Sequence, residues 1–444
     1  MSAPAPAAPS FGEALRYWLK LGFISFGGPA GQIAIMHQEL VERRRWISEQ
    51  RFLHALNYCM VLPGPEAQQL ATYIGWLLHG VKGGIAAGAL FVLPSLFILI
   101  GLSWIYLAWD DVPAVAGVLY GVKPAVVAIV LAAAWRIGTR TLRNGLLWLI
   151  AAAAFIAIFA LRLPFPAIIL GAAVIGAIGG RWLPQKFRVA GAHGPAHPTA
   201  HLPSVVDDDT PPPAHARFSW GRLARVVVIG LALWAGAFGL LLACFGAGST
   251  FAQMGAFFSK AALLTFGGAY AVLPYVYQAA VEQYQWLTAT QMIDGLALGE
   301  TTPGPLIMIV SFVGFVGGWS AELAGGSPAA AGIVGATVAT FFTFLPSFLF
   351  ILAGGPLVEA THGELRFTAP LTAITAAVVG VIVNLALFFA WHVFWPGGSA
   401  AAPDPVAMLI SAAALLALLR FRQGVVRVIL VCALLGLVRA LILA

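Results

Sequence analysis

Five long stretches of this sequence are almost entirely apolar, which is more than a water-soluble fold of this size can bury. They cover residues 85–107, 112–135, 223–245, 330–353 and 370–395, and each is long enough to cross the hydrocarbon core of a membrane as a helix. The composition agrees, because 60% of the 444 residues are hydrophobic and only 9% are charged; soluble proteins have about a quarter charged residues. The stretches lack the alternation of barrel strands. The sequence therefore predicts an all-α integral membrane protein.

The charge and the cysteines exclude several classes of function. The net charge of +7 favours a basic cytoplasmic face, and nucleic-acid binding is disfavoured because no basic patch lies on a soluble domain. Cys59, Cys244 and Cys432 lie far apart in apolar sequence, so we predict neither a disulfide framework nor a metal site, and no cofactor. The chain has no His-Glu-x-x-His or Gly-x-Ser-x-Gly motif. We therefore do not expect an enzyme.

An internal repeat decides the predicted architecture. Three short motifs occur twice, the first two after 240 residues and the third after 252. The pairs are Phe-Gly-Gly at 26–28 and 266–268, Pro-Gly-Pro at 63–65 and 303–305, and Leu-Pro-Ser at 93–95 and 345–347. Because these rare residues keep a constant register, we interpret the chain as two homologous halves.

The repeat divides the chain into five predicted parts. They are a disordered tail at 1–10, a first repeat at 11–184, a flexible linker at 185–219, a linking transmembrane span at 220–250 and a second repeat at 251–444. The tail has no charged region followed by an apolar one, so we predict no cleavable signal peptide. The linker is rich in Pro, Asp and His and cannot bury a core, so we expect it to be mobile. Metal binding by its histidines at 193, 197 and 201 is the less favoured interpretation.

The Phe-Gly-Gly and Pro-Gly-Pro motifs interrupt apolar segments. Once divided, each piece of these segments is too short to cross a membrane. Glycine permits unusual backbone angles and proline removes a hydrogen-bond donor, so each motif should break a helix. New half-helices are predicted to begin at Pro29 and Pro65, after Gly268 and at Pro305. A free helix N-terminus carries partial positive charge and binds anions. Broken helices at matching positions of two halves point to a transporter's binding site, although a proline kink that only shapes packing is the alternative.

The distribution of arginines predicts that the second repeat is inverted. Residues 42–45 read Glu-Arg-Arg-Arg and should be cytoplasmic by the positive-inside rule. Their counterparts at 282–285 read Glu-Gln-Tyr-Gln, as expected for a loop on the outer face. If each broken helix is a re-entrant hairpin, four hairpins and nine spans give about thirteen hydrophobic segments. The N-terminus and linker are then cytoplasmic and the C-terminus lies outside.

Several ionisable side chains lie within the apolar segments. Lys20 and Lys260 each precede a Phe-Gly-Gly motif by six residues, and we expect them to attract or coordinate an anion, with snorkelling to the interface as the alternative. Lys123 is a weaker candidate because it has no repeat partner. Glu300 and Glu66 flank the two Pro-Gly-Pro breaks and are the candidates for carrying a coupling proton. For Glu66, stabilisation by the helix dipole is an equally good explanation.

The motifs together resemble a known family. The sequences KLGFISFGGP at 20–29, VERRRW at 41–46, LPGPEAQQLATYIG at 62–75 and TFGGAYAVLP at 265–274 are similar to those of the long, two-domain members of the chromate ion transporter family. The resemblance covers nearly the whole chain apart from the tail and the linker. It implies export of chromate from the bacterial cytoplasm across the inner membrane, which confers chromate resistance. Glutamine is common in the family where this chain has Glu300.

The resemblance and the residues agree on a small tetrahedral dianion as substrate, with the proton motive force as the driving force. The predicted substrate site consists of Lys20, Phe26, Gly27, Gly28, Pro29, Pro63, Gly64, Pro65, Gln68, Gln69, Lys260, Phe266, Gly267, Gly268, Thr302, Pro303, Gly304 and Pro305. Sulfate or another oxyanion as substrate, a passive anion channel and a homodimeric assembly are alternatives that the residues leave open.

Overall fold

The computed structural model describes residues 6–26, 28–109, 112–187, 203–207, 210–211, 213–266, 268–321, 326–360, 368–398 and 402–443. Sixteen α-helices lie in these ranges. The first repeat contains α1 (Phe11–Ile24), α2 (Gly28–His37), α3 (Glu49–Val61), α4 (Glu66–Ala108), α5 (Pro113–Thr141), α6 (Gly145–Phe159) and α7 (Phe165–Trp182). After α8 (Trp220–Phe245), the second contains α9 (Thr250–Leu264), α10 (Ala269–Tyr277), α11 (Ala289–Thr301), α12 (Ile309–Trp319), α13 (Pro328–Ala360), α14 (Thr368–Phe394), α15 (Pro405–Leu419) and α16 (Val425–Leu443).

The prediction of an all-α membrane protein is confirmed. Seven of the described helices are long and apolar enough to cross a membrane: α4, α5, α7, α8, α13, α14 and α16. The apolar helices α6 and α15 are shorter, with 15 residues each. Helix α4 is bent at His79 and Gly80, where the positive φ of 63° suits glycine. Its first part packs against α3, so the two helices form a hairpin across the Pro-Gly-Pro break.

The two repeats match element by element. Helices α3 (49–61) and α11 (289–301) each have 13 residues and lie 240 positions apart. Helices α6 (145–159) and α15 (405–419) also match, now 260 positions apart. Left-handed backbone recurs at equivalent positions as well, with φ of 127° at Gly64 and 104° at Gly304. The register read from the motifs therefore extends to the ends of both halves.

The halves are intertwined rather than separate. Helix α5 of the first repeat packs against α15 and α16 of the second, and its counterpart α14 packs against α6 and α7 of the first. Small residues permit this close approach. A Cβ atom at Gly121 would lie 1.9 Å from the carbonyl oxygen of Cys432, and one at Gly380 would lie 2.0 Å from that of Ala151. The two crossed bundles form one continuous core.

The second repeat is inverted relative to the first. Helix α1 begins beside the bend in α4, where the rings of Phe11 and His79 are 5.5 Å apart. Helix α8 begins on the same face, because Arg222 donates to the carbonyl of His215, whose ring in turn contacts the carbonyl oxygen of Trp76. The 26 residues of α8 span about 39 Å at 1.5 Å per residue, so α9 begins on the opposite face. We call these the first and second faces.

The described parts of the linker contact the first repeat. Val206 forms an isolated parallel bridge with Ile47, and Arg51 donates to the carbonyl oxygen of Thr210 at 2.5 Å. Residues 203–207 and 213–216 thus lie on the first face. The backbone groups of Val205 and Val206 pair with the loop before α3, which composition could not reveal. Similarly, Ser10 of the predicted tail caps α1. The three linker histidines lie outside the described residues.

Candidate functional site

The four helix breaks meet in two pairs, each formed between the repeats. The amide of Gly64 donates to the carbonyl oxygen of Thr265 at 2.8 Å, and the amide of Gly304 donates to that of Ser25 at 2.8 Å. Ser25 and Thr265 are equivalent positions of the repeat, as are Gly64 and Gly304. Because the hairpins enter from opposite faces, their tips meet inside the protein. Gly27 and Gly267, which we predicted at this site, lie outside the described residues.

The two helices of each hairpin differ in how their N-termini are capped. In the hairpins, the helices that begin at the faces have hydroxyl caps. The side chains of Ser10, Ser48, Ser249 and Thr288 accept hydrogen bonds from backbone amides of α1, α3, α9 and α11. At the breaks, helical turns begin directly after Pro65, Gly268 and Pro305. These turns have no side-chain cap among the described residues. Hydroxyl and carboxamide caps normally satisfy these amides. Their absence leaves helix N-termini open towards the breaks.

Three buried glutamines surround the breaks. Gln32 is only 1% exposed, and its amide donates to the carbonyl oxygen of Gly304 at 2.6 Å. Gln69 donates to the carbonyl oxygen of Pro63 at 2.8 Å, and Gln68 donates to the hydroxyl of Thr72 at 3.0 Å. The side-chain oxygens of all three glutamines have no hydrogen-bond partner among the described residues. The site therefore holds polar groups whose hydrogen-bonding capacity is not used within the protein.

Gln32 was not predicted from the sequence. Gln32 lies outside the repeated motifs, and its counterpart in the second repeat is Val272. The same asymmetry applies to Gln68 and Gln69, whose counterparts are Met308 and Ile309. The first repeat thus supplies the amide side chains of the site.

The two predicted carboxylates lie next to the breaks. Glu300 is 6% exposed and accepts a hydrogen bond from the hydroxyl of Tyr270. Glu66 faces the break of the other repeat, because a Cβ atom at Gly268 would lie 3.8 Å from its carboxylate oxygen. Neither carboxylate forms an ion pair with any residue that the structure describes. Tyr270 was missed because its counterpart is Ala30.

The three lysines have different surroundings. Lys20 and Lys260 occupy exposed positions of α1 and α9. Lys123 forms an ion pair with Asp294 at 3.5 Å, and Asp294 also accepts from the hydroxyl of Tyr106 at 3.0 Å. This cluster links both repeats near the second face.

The remaining predicted residues shape the breaks rather than offer polar side chains. Gly28, Pro29 and Pro63 are half-buried, Gly64, Pro65, Pro303 and Pro305 are buried, and Phe26 and Phe266 are partly exposed. The hydroxyl of Thr302 donates to the carbonyl oxygen of Leu298 at 2.7 Å, so its proton is used within α11.

A cleft of about 410 Å³ lies elsewhere, on the second face. Its lining residues are Pro164, Pro166, Tyr275, Gln278, Ala279, Glu282 and Gln283. None belongs to a helix break, and Glu282 is a carboxylate that would repel an anion. We therefore assign the site to the breaks. In the part of the chain that the structure describes, no group of three or more His, Cys, Asp or Glu residues could hold a metal ion.

Comparison with known proteins agrees with this architecture. The family model described as chromate transporter matches residues 12–177 and 252–437, one segment in each repeat. A chromate transport protein of Pseudomonas aeruginosa is 33% identical over 383 residues, covering 85% of this chain and 80% of the relative. A chromate transport protein of Cupriavidus metallidurans is 28% identical over 383 residues, covering 85% and 82%. No solved structure matches the chain. With two matched repeats and relatives of the same two-repeat length, this multi-pass membrane protein belongs to the chromate transporter family.

Proposed function

We propose that this chain exports chromate from the cytoplasm, driven by the proton motive force, and thereby confers chromate resistance. The observation that carries the proposal is the contrast in helix capping. Within the hairpins, the helices α1, α3, α9 and α11 begin at the faces and are capped by hydroxyls, whereas the described turns that begin at the meeting point of the breaks have no side-chain cap. Amides that are uncapped at the centre of a membrane protein are suited to an anionic ligand.

The proposed site has enough positive potential for a dianion. Each helix N-terminus is equivalent to about half a positive charge, so four of them supply about the two charges that chromate needs. Their amides act in a low-dielectric interior, where a charge interaction is stronger than in water. Lys20 and Lys260 are proposed to raise the local concentration of the anion, since they lie at exposed positions before the breaks.

The membrane potential favours the proposed direction. Moving one elementary charge through 100 mV changes the free energy by about 2.3 kcal/mol. For a dianion leaving a cytoplasm that is electrically negative, the gain is about 4.6 kcal/mol per 100 mV by the same relation. Export is therefore downhill in the electrical component of the proton motive force, even before any proton moves.

Glu300 and Glu66 are proposed to couple protons to the anion. An ionised carboxylate beside the breaks would repel a dianion, so anion binding should favour the protonated form. A proton that leaves with the dianion cancels one of its two charges, so the electrical gain falls to about 2.3 kcal/mol per 100 mV and the membrane potential still drives export. Glu300→Gln mimics that form permanently. We expect this variant to bind and transport chromate while losing the response of the rate to a pH gradient. Complete loss of transport in Glu300→Gln would instead assign the carboxylate another role.

Flux into inverted vesicles tests the function. Vesicles containing the protein should accumulate radiolabelled chromate when energised, and vesicles without it should not. Nigericin and valinomycin then separate the pH gradient from the electrical potential, and sulfate is added as a competitor. Absence of gradient-dependent accumulation would falsify the exporter proposal. Equilibration without accumulation would identify a passive channel, and accumulation of sulfate without chromate would identify a different oxyanion transporter.

The cytoplasmic location of the first face is also a proposal. It can be tested by labelling cysteines placed at Arg43 and Gln283 with an impermeant thiol reagent. The side chain of Arg43 is 63% exposed and Gln283 is exposed on the second face. The exposed Cys244 is replaced first, whereas Cys59 and Cys432 are buried. In intact cells only the cysteine at 283 should react; the reverse pattern would invert the proposed orientation.

A further inference from the structure

Two equivalent serines lie over the helix breaks. Ser95 on α4 and Ser347 on α13 belong to the repeated Leu-Pro-Ser motif. Each is only 1% exposed, and neither hydroxyl has a hydrogen-bond partner among the described residues. The function proposed above does not use either of them.

Each serine contacts the break glycine of the other repeat. A Cβ atom at Gly304 would lie 2.8 Å from the Cβ atom of Ser95 and 3.2 Å from its Oγ. One at Gly64 would lie 2.4 Å from the Oγ of Ser347. These glycines are the residues whose amides join the breaks across the repeats. The two serines therefore border the meeting point from both long crossing helices.

Four buried serine and threonine hydroxyls lack a partner among the described residues, those of Ser95, Ser311, Thr340 and Ser347, and only Ser95 and Ser347 are equivalent positions of the repeat. A serine or threonine within a helix commonly donates to the carbonyl four residues earlier. Ser103 on α4 does so to Leu99 at 2.6 Å, and Thr343 on α13 does so to Ala339 at 2.7 Å. Leaving a buried hydroxyl without a partner is unfavourable. The same unfavourable arrangement at both equivalent positions indicates that the hydroxyls serve a partner beyond the described residues.

We propose that Ser95 and Ser347 are paired hydrogen-bond donors to the bound oxyanion. The proposal rests on the function above for the class of ligand, a tetrahedral dianion. Each hydroxyl donates to a different oxygen of the same ion, one from each repeat. A ligand with several acceptor oxygens satisfies both donors together with the amides of the breaks. The serines thus favour an oxyanion over a single-atom anion.

The test measures binding and stability on the purified full chain. The variants are Ser95→Ala and Ser347→Ala, with Ser103→Ala as the matched control, because Ser103 is a buried serine of α4 with a bonded hydroxyl. The probes are radiolabelled chromate in a scintillation proximity assay and thermal unfolding without ligand. A hydrogen bond to a charged group is worth enough to change affinity about tenfold or more.

We expect Ser95→Ala and Ser347→Ala each to raise the Kd for chromate about tenfold, with Ser103→Ala unchanged. Without ligand, both variants should unfold at the same or a higher temperature than the parent, because an unpaired hydroxyl has been removed. Unchanged affinity, a lower unfolding temperature without ligand, or a parent that binds no chromate would each overturn the inference. A parent that binds chromate but does not transport it in vesicles would overturn the exporter proposal alone.

Discussion

Replacing the break glycines by alanine tests directly whether the cross-repeat contacts build the site. Gly64 and Gly304 have φ values of 127° and 104°, where a Cβ atom is strained. Backbone strain of this kind amounts to about 1–3 kcal/mol. Overpacking in a filled interior adds about 1–3 kcal/mol. We therefore expect each substitution to reduce the free energy of unfolding by about 2–6 kcal/mol if the two effects add.

The neighbours of each glycine predict which variant is worse. At Gly64 the closest atoms to a new methyl group are the Oγ of Ser347 at 2.4 Å and the Nε2 of Gln69 at 2.6 Å, both at the ends of side chains that can rotate. At Gly304 the closest atom is the Cβ of Ser95 at 2.8 Å, which cannot move without the helix. Gly304→Ala should therefore be more destabilising than Gly64→Ala.

A matched control lies on α4, the helix that carries Ser95. A Cβ atom at Gly101 would meet no other atom within 4 Å, and alanine within a helix is about 1 kcal/mol better than glycine. Gly101→Ala should thus be neutral or stabilising. Thermal unfolding of purified protein in detergent and chromate flux in vesicles are measured for all three variants. If Gly304→Ala unfolds at the temperature of Gly101→Ala and transports chromate equally well, the close contact at the breaks is not a feature of the protein.

Three further predictions concern charged residues. Arg51 and Glu359 form a buried ion pair at 3.3 Å between the repeats. Breaking the pair by either Arg51→Met or Glu359→Gln should lower the free energy of unfolding by about 3 kcal/mol. If the two losses are additive in the double mutant, the residues are not coupled. Lys20→Ala and Lys260→Ala should each slow chromate transport without changing the amount of inserted protein; transport at the parental rate in both would mean that the lysines only snorkel. Burial alone would raise the pKa of Asp404, but hydrogen bonds from a tyrosine hydroxyl and two backbone amides hold the pKa below its usual range. A pKa that is lower in the folded protein stabilises the folded state fully above the unfolded value of about 3.9, and this stabilisation is lost as the pH falls. The unfolding temperature should therefore fall more between pH 5 and pH 3 for the parent than for Asp404→Asn. An equal fall in unfolding temperature for both proteins would refute this.

The sequence by itself determined the features that depend on local chemistry. Long apolar runs must be membrane helices, since only helices satisfy their backbone groups inside lipid. Glycine and proline at 26–29 and 63–65 break helices wherever they occur in such runs. The repeated register then predicted that the breaks recur, and the loss of arginines at 282–285 indicated an inverted second half. Each of these signals is read from a short segment, or from two short segments compared in register.

Only the tertiary structure decided which side chains reach the breaks. Gly64 meets Thr265 and Gly304 meets Ser25, and such pairs are more than 200 residues apart, so no local pattern reports them. The position of Gln32 at the breaks could not be predicted, because the residue lies outside the repeated motifs and its counterpart in the second repeat is apolar. The ion pair of Lys123 with Asp294 could not be predicted either, because the two residues lie far apart in sequence, although an ammonium at membrane depth is stabilised by a nearby carboxylate. The physical reason is the same throughout: helix formation is local, whereas burial and pairing depend on how the intertwined repeats pack.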